Sequence, residues 1–412
     1  MNTEQVGNSF YALGVAPKML EILDRLKFTV PTPIQHKAIP IGIDGQDIIG
    51  IAQTGTGKTL AFAIPMIQRL AQKPGNGLVV VPTRELAEQV GATFDKLKGA
   101  FGMKTAILIG GASMVNQIEA LQKNPRVFIA TPGRLLDHLE QRNLILSNVN
   151  MLVLDEADRM FDMGFAPQIE RILRALPKDR QTMLFSATMP EEIVKIARTH
   201  MKLPISVEMA RSGTIAEKVT QELFLVKDKD EKIQLLHKLL FTYHGAVLLF
   251  CRTKFGASRV VKDIKQMGYK TEEIHSNRSL SQRREALEGF KSGKYRVLVA
   301  TDIAARGIDV TGIEVVINYD LPEDAENYVH RIGRTGRAGH PGHAISFATP
   351  DQGEEVSNIE KLIMIQLPIS KHPVVELERF VPKYTRSSSP RGRFEPNRSQ
   401  GGNRFGKRPF RR

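Results

Sequence analysis

Residues 52–59 read AQTGTGKT, with the apolar DIIGI (47–51) before them and LAFAIPMIQRL (60–70) after. The first flank has the composition of a buried strand and the second the apolar spacing of a helix, so the glycines sit at a strand-to-helix turn. A turn bare of side chains lets backbone N–H groups approach phosphates, and the N-terminus of the following helix adds partial positive charge. The pattern points to a nucleotide phosphate site formed by Ala52, Gln53, Thr54, Gly55, Thr56 and Gly57. Lys58 would reach the outer phosphates and the Thr59 hydroxyl would ligate Mg2+. Ala52 departs from the glycine that usually opens the pattern.

A loop of this kind belongs to α/β folds, and the rest of the chain repeats the alternation they require. Short apolar runs ending in Gly, Thr or Asp recur as GLVVVPT (77–83), TAILIGG (105–111), VFIATPG (127–133), MLVLDEAD (151–158) and TMLFSAT (182–188). A second set follows: GAVLLFCRT (245–253), RVLVATD (296–302), EVVINYD (314–320) and HAISFAT (343–349). Helical stretches separate the runs, which is the signature of parallel sheets covered on both faces. Between the sets, MARSGTIAEKVTQ (209–221) is small and polar, as a flexible connection is. Two α/β domains on a hinge are expected.

Composition narrows the function classes. The 412 residues are long enough for two or three domains at about 150 residues each. Nine of the fourteen net positive charges fall in residues 383–412, where ten Lys and Arg face the single acid Glu395. That tail is too rich in Gly, Pro, Ser and Arg to bury a core and is expected to be disordered. No run of about 18 apolar residues appears and the N-terminus lacks the pattern of a signal peptide, so no membrane partner and a soluble, cytoplasmic protein are expected. The lone Cys251, within VLLFC, fits a buried thiol in a reducing compartment.

VLDEADRM (153–160) supplies what the phosphate loop lacks. A carboxylate leaving an apolar strand holds the metal beside such a loop, so Asp155 is the candidate Mg2+ ligand, through water. Glu156 is the candidate for polarising the attacking water.

On these residues the chain closely resembles the DEAD-box ATP-dependent RNA helicase family of superfamily 2, down to the literal Asp155, Glu156, Ala157, Asp158. The resemblance implies two tandem RecA-like parallel-sheet domains on a flexible linker, plus the disordered basic C-terminal tail. Its segments are an adenine-recognising motif (8–36), an ATP-binding domain (39–209), a linker (210–219), a C-terminal helicase domain (220–380) and the tail (383–412). In FTVPTPIQ (28–35) it implies that Phe28 stacks on adenine and Gln35 bonds the base edge, with Phe10 the upstream aromatic. The family usually has Gly where this chain has Lys27.

By the same resemblance, Arg84 of PTRELA, Gly110, Gly111, and Thr131, Gly133 and Arg134 of TPGR face the RNA sugar-phosphate backbone. Ser186 and Thr188 couple to Asp158. In the second domain, Thr301 and Arg283 contact RNA, while Gly307 and Asp309 face the nucleotide. Leu280 replaces a frequent glutamine, so that contact is absent or moved to Gln282. In HRIGRTGR (330–337), His330 and Arg331 are assigned to the acidic motif and Arg334 and Arg337 to the γ-phosphate as arginine fingers. The helix before Gly333 should start near Pro322. The resemblance implies ATP and Mg2+ as cofactors and RNA as partner, with ribosome-assembly or RNA-decay complexes as associates. An ATP-gated RNA clamp uses the same motifs. The short RGR-containing tail and the core are similar to the bacterial RhlE-like group, and the tail's Tyr384, Phe394, Phe405 and Phe410 among arginines suggest an RNA tether.

Overall fold

The computed structural model describes residues 9–52, 55–208, 219–305, 310, 312–336, 342–375 and 380. Seven strands form the first sheet: β1 (Ile48–Ile51), β2 (Asn76–Val80), β3 (Thr105–Leu108), β4 (Val127–Ala130), β5 (Val149–Leu154), β6 (Gln181–Ser186) and β7 (Ile205–Glu208). Their order is β3-β4-β2-β5-β6-β1-β7 and every pairing is parallel. The runs are apolar without alternation because both faces are covered. Val79 and Val81 enter the core beneath helices Pro17–Arg25, Pro33–Ile43, Lys58–Gln72 and Arg84–Lys98. Leu78 and Val80 enter the opposite core, beneath Pro132–Glu140, Ala166–Ala175 and Glu191–His200.

The second sheet holds β8 (Val219–Leu225), β9 (Ala246–Phe250), β10 (Thr271–Ile274), β11 (Val297–Ala300), β12 (Ile313–Asn318) and β13 (Gly342–Ala348). It is also wholly parallel, in the order β10-β11-β9-β12-β13-β8. Val247 and Leu249 face one core, Leu248 and Phe250 the other.

The sheets correct the sequence reading at four points. β7, β8 and β10 went unrecognised: ISVE is mostly exposed, TEEI is polar, and VTQELFL begins inside the stretch read as a connection; all three are edge strands. The connection expected at 210–219 ends earlier, because Val219 already pairs with Gly342 as the first residue of β8. Residues 210–218 and the tail 383–412 lie outside the described residues, as do the expectations placed on them. Among the described residues, no helix is long and apolar enough to cross a membrane.

Candidate active site

The phosphate loop leaves β1 and enters helix Lys58–Gln72 as the sequence pattern demands. Ala52 N–H donates to Ser186 O at 2.9 Å, tying the loop's start to β6. Gly57 caps the helix at φ +90°, a left-handed conformation natural to glycine, and a Cβ there would collide with the Gln35 side chain. Gln53 and Thr54 lie outside the described residues. Lys58 is buried with its Nζ 3.9 Å from Asp155 Oδ1, and Thr59 follows half-buried on the first turn.

Asp155 leaves β5 with its N–H donating to Val80 O at 3.0 Å. Burial pushes its carboxyl up to about 6; the Lys58 ammonium opposes the shift and the neighbouring Glu156 adds to it. Glu156 sits at φ +52°, ψ +50°, where a non-glycine backbone is strained, and caps helix Ala157–Asp162. One of its oxygens pairs with Arg159, while Oε1 is buried with no hydrogen-bond partner among the described residues. Among those residues no group of three or more His, Cys, Asp or Glu could cage a metal. Magnesium needs no such cage beside phosphates, being held by one or two carboxylates and substrate oxygens. A desolvated Asp155 carboxyl and an orphaned Glu156 oxygen beside a phosphate loop fit that ion.

Asp158 joins the acidic motif to the strand-end SAT. Its Oδ2 accepts the N–H groups of Ala187 and Thr188, each at 2.9 Å, and the Thr188 hydroxyl at 3.2 Å. Its own N–H donates to Ser186 Oγ at 3.2 Å. Burial works to raise the Asp158 carboxyl, but Lys58, His330 of the second domain and the N–H donors outweigh it and hold it below its ordinary value. The expected Ser186–Asp158–Thr188 contact is present, and His330 lies close enough for its charge to act on it.

In the adenine segment Phe28 is 39% exposed, as a stacking ring must be. Lys27 before it takes φ +62°, which explains why glycine suits that position. Gln35 is buried: its Oε1 accepts from Thr32 N–H at 2.9 Å and its Nε2 donates to Gly57 O at 3.0 Å, fastening this segment to the phosphate loop. Phe10 differs from expectation. At 2% exposure it packs in the first core, so it supports the segment without a face left for a ligand.

The expected RNA-facing loops of the first domain gather at the strand ends. The Arg84 guanidinium covers Gly110 and Gly111 so closely that a Cβ on Gly111, at φ +78°, would collide with it. Arg134 Nη1 donates to Ala112 O at 3.0 Å, Thr131 caps helix Pro132–Glu140, and the space over Gly133 is open. Behind them lies a network the sequence reading missed. Gln117 Nε2 donates to Ile109 O at 3.1 Å, its Oε1 accepts Ile109 N–H at 3.2 Å, and buried His138 Nε2 lies 3.2 Å from that same oxygen. Both residues sit inside ordinary amphipathic helices, where nothing in the pattern separates a bracing amide from a solvated one.

In the second domain Thr301 follows β11, its N–H donating to Ile274 O at 3.3 Å. Arg283 departs from its expected RNA contact: it is buried and lies 2.8 Å from Glu85 Oε2 of the first domain. The neighbouring Arg284 grips Glu88, and Leu280 packs into the first domain's core. Gln282 is used locally, its Oε1 accepting from Ser279 N–H at 3.0 Å in a capping box. Arg331 is likewise turned inward. At 1% exposure it holds both oxygens of Asp302, at 2.6 and 2.7 Å, and Asp320 O at 2.6 Å, rather than the acidic motif. Arg334 is buried just past helix Ala325–Ile332. Gly307, Asp309 and Arg337 lie outside the described residues.

Two parallel sheets, a phosphate loop with paired carboxylates on one, and an arginine-bearing helix end on the other define a two-domain nucleoside triphosphatase. The chain belongs to the DEAD-box helicase family: residues 32–196 match the DEAD/DEAH box helicase model and residues 231–339 the helicase conserved C-terminal domain. It is an ATP-dependent RNA helicase. It is 42% identical over 376 residues to the ATP-dependent rRNA helicase RRP3 of Meyerozyma guilliermondii, covering 90% of this chain and 79% of the relative. S. cerevisiae Dbp5 bound to RNA and ADP BeF3 superposes with a TM-score of 0.79 at 30% identity, covering 88% of this chain and 95% of that one. A DEAD box protein from Methanococcus jannaschii gives 0.52 at 38% identity, over 88% and 99%.

Proposed function

We propose that closure of the two domains on ATP and RNA completes the hydrolytic centre, and that the chain uses this cycle to separate short RNA duplexes locally or remodel RNA–protein complexes. The observation that carries the proposal is Lys58 Nζ 3.9 Å from Asp155 Oδ1, beside an Asp158 that ties the acidic motif to Thr188, in a domain joined to the other through Glu85 and Arg283 at 2.8 Å. Phe28 and Gln35 would select adenine, and Lys58 would hold the outer phosphates. Thr59 and Asp155 would hold Mg2+, which when bound neutralises charge on the phosphate oxygens. Glu156 Oε1, buried and unsatisfied, would orient the attacking water and take its proton. Arg334, with Arg337, would stabilise the charge that develops on the transferred group.

RNA held through its backbone by Arg84, the Gly110–Gly111 turn, the Thr131–Arg134 loop and Thr301 gives little sequence preference. Because ATP and RNA favour one closed state, each tightens the other. The fungal relatives named as rRNA helicases support ribosomal RNA as the substrate class and ribosome assembly as the setting, and lend nothing to a bacterial RhlE-like subgroup. The deciding experiment is ATP hydrolysis with and without RNA for the wild type and Glu156→Gln. RNA should stimulate the wild type, and the variant should bind both ligands without turnover. Hydrolysis indifferent to RNA, or a normally active variant, overturns the proposal.

A further inference from the structure

One aromatic side chain of the second domain has no part in the site above. Phe255 is 73% exposed on the first turn of helix Lys254–Gln266, two residues after Thr253, whose hydroxyl accepts the Gly256 N–H at 3.0 Å. Lys254 Nζ lies 5.3 Å from the Phe255 ring centroid and donates to Asn277 Oδ1 at 2.9 Å. In the sheet, β11 lies between β9 and β10. The Lys254–Asn277 bond therefore runs from the loop after β9 to the loop after β10, across the end of β11, where Thr301 follows. Phe255 stands at one end of that bar, on the carboxyl edge of the sheet where ligands of parallel α/β domains bind.

An exposed phenyl ring loses the free energy it would gain by burial, and this one has the Lys254 ammonium beside it. An exposed aromatic ring with a cation next to it, near a backbone-gripping loop, is the arrangement that takes an unpaired base. Every base has a π-face, and a neighbouring ammonium can neutralise a phosphate. We propose that Phe255 is a stacking platform for one unpaired nucleobase of the bound RNA. This rests on the RNA-binding reading above and adds to it a contact with a base, where the other residues meet only sugar and phosphate.

The test measures binding of a fluorescent oligouridine to the full chain with AMP-PNP, for wild type, Phe255→Ala and Phe255→Tyr. Phe255→Ala should bind about tenfold more weakly, from the ~1–3 kcal/mol that stacking on one base contributes. Its salt dependence should be unchanged, because no phosphate contact is lost. Phe255→Tyr should bind like the wild type, and RNA-independent ATP hydrolysis should be equal in all three. In a set of oligouridines each lacking one base, the gap between wild type and Phe255→Ala should vanish at a single position. Wild-type affinity for Phe255→Ala, the outcome if this ring serves a protein partner, overturns the proposal. A deficit that persists at every abasic position also overturns it. Should RNA fail to stimulate wild-type hydrolysis, the parent reading falls; should RNA stimulate normally while Phe255→Ala binds normally, only the stacking contact falls.

Discussion

Asp155 illustrates what a single residue contributes when function sets its surroundings. Its carboxyl is raised to about 6 by burial, so it holds its proton more tightly than an ordinary aspartate does. A raised carboxyl gives stability that is complete below its ordinary value and is lost as pH climbs through the raised one. Asp155→Asn keeps the neutral shape. It should be inactive yet more stable than the wild type at neutral pH, because the variant no longer buries a carboxylate charge there. Urea denaturation across pH should show that advantage shrinking to nothing toward about pH 4. Lys27 offers a simpler case. Its left-handed backbone costs a side chain ~1 kcal/mol, so Lys27→Gly should raise stability by ~0.5 kcal/mol once glycine's freedom in the unfolded chain is deducted. A fall in the denaturation midpoint would contradict that. Residue by residue, the phosphate loop and the acidic motif were legible because their spacing dictates their chemistry. Phe10, Arg283 and Arg331 were not, because a motif fixes a residue type without fixing which neighbour its side chain chooses.

Secondary-structure elements were read best where they were most buried. β2, β4, β5 and β6 fall within a residue or two of their apolar runs, and helix Ala325–Ile332 ends at Gly333 as its sequence suggests. The polar edge strands β7 and β10 escaped notice, since an edge needs neither two apolar faces nor a long run. Helix Leu280–Lys291 shows how much one element can hold: Arg283 on Glu85, Arg284 on Glu88 and Leu280 in the other domain's core. Arg283→Ala leaves Glu85 buried without its partner, which costs ~3–5 kcal/mol in such settings. RNA binding in the presence of AMP-PNP should weaken strongly in that variant. Much of the loss should return in the double variant Glu85→Ala, Arg283→Ala, because no lone charge is then buried. Equal weakness in single and double variants would assign Arg283 to RNA directly.

At the scale of the molecule, the tail and the two folded domains carry charge differently, since nine of the fourteen net positive charges lie in the tail. Deleting residues 383–412 removes ten cations from the chain. If the tail tethers RNA, its loss should weaken RNA binding and flatten the dependence on salt while leaving basal ATP hydrolysis intact. Identical salt slopes would leave the tail as a solubilising segment. Strand order has a further consequence, in time rather than space. β1 carries the phosphate loop, yet both its neighbours come late: Ile48 pairs with Met183 of β6 and with Ile205 of β7. While the chain is being made, β1 emerges with nothing to pair with. At about 5–20 residues per second it waits roughly seven to thirty seconds for β6 to leave the ribosome and join it to the sheet that β2 to β5 can already form. Until then the nascent protein has its nucleotide loop but no neighbouring strand to set it against, so ATP can reward only a first domain that is nearly finished.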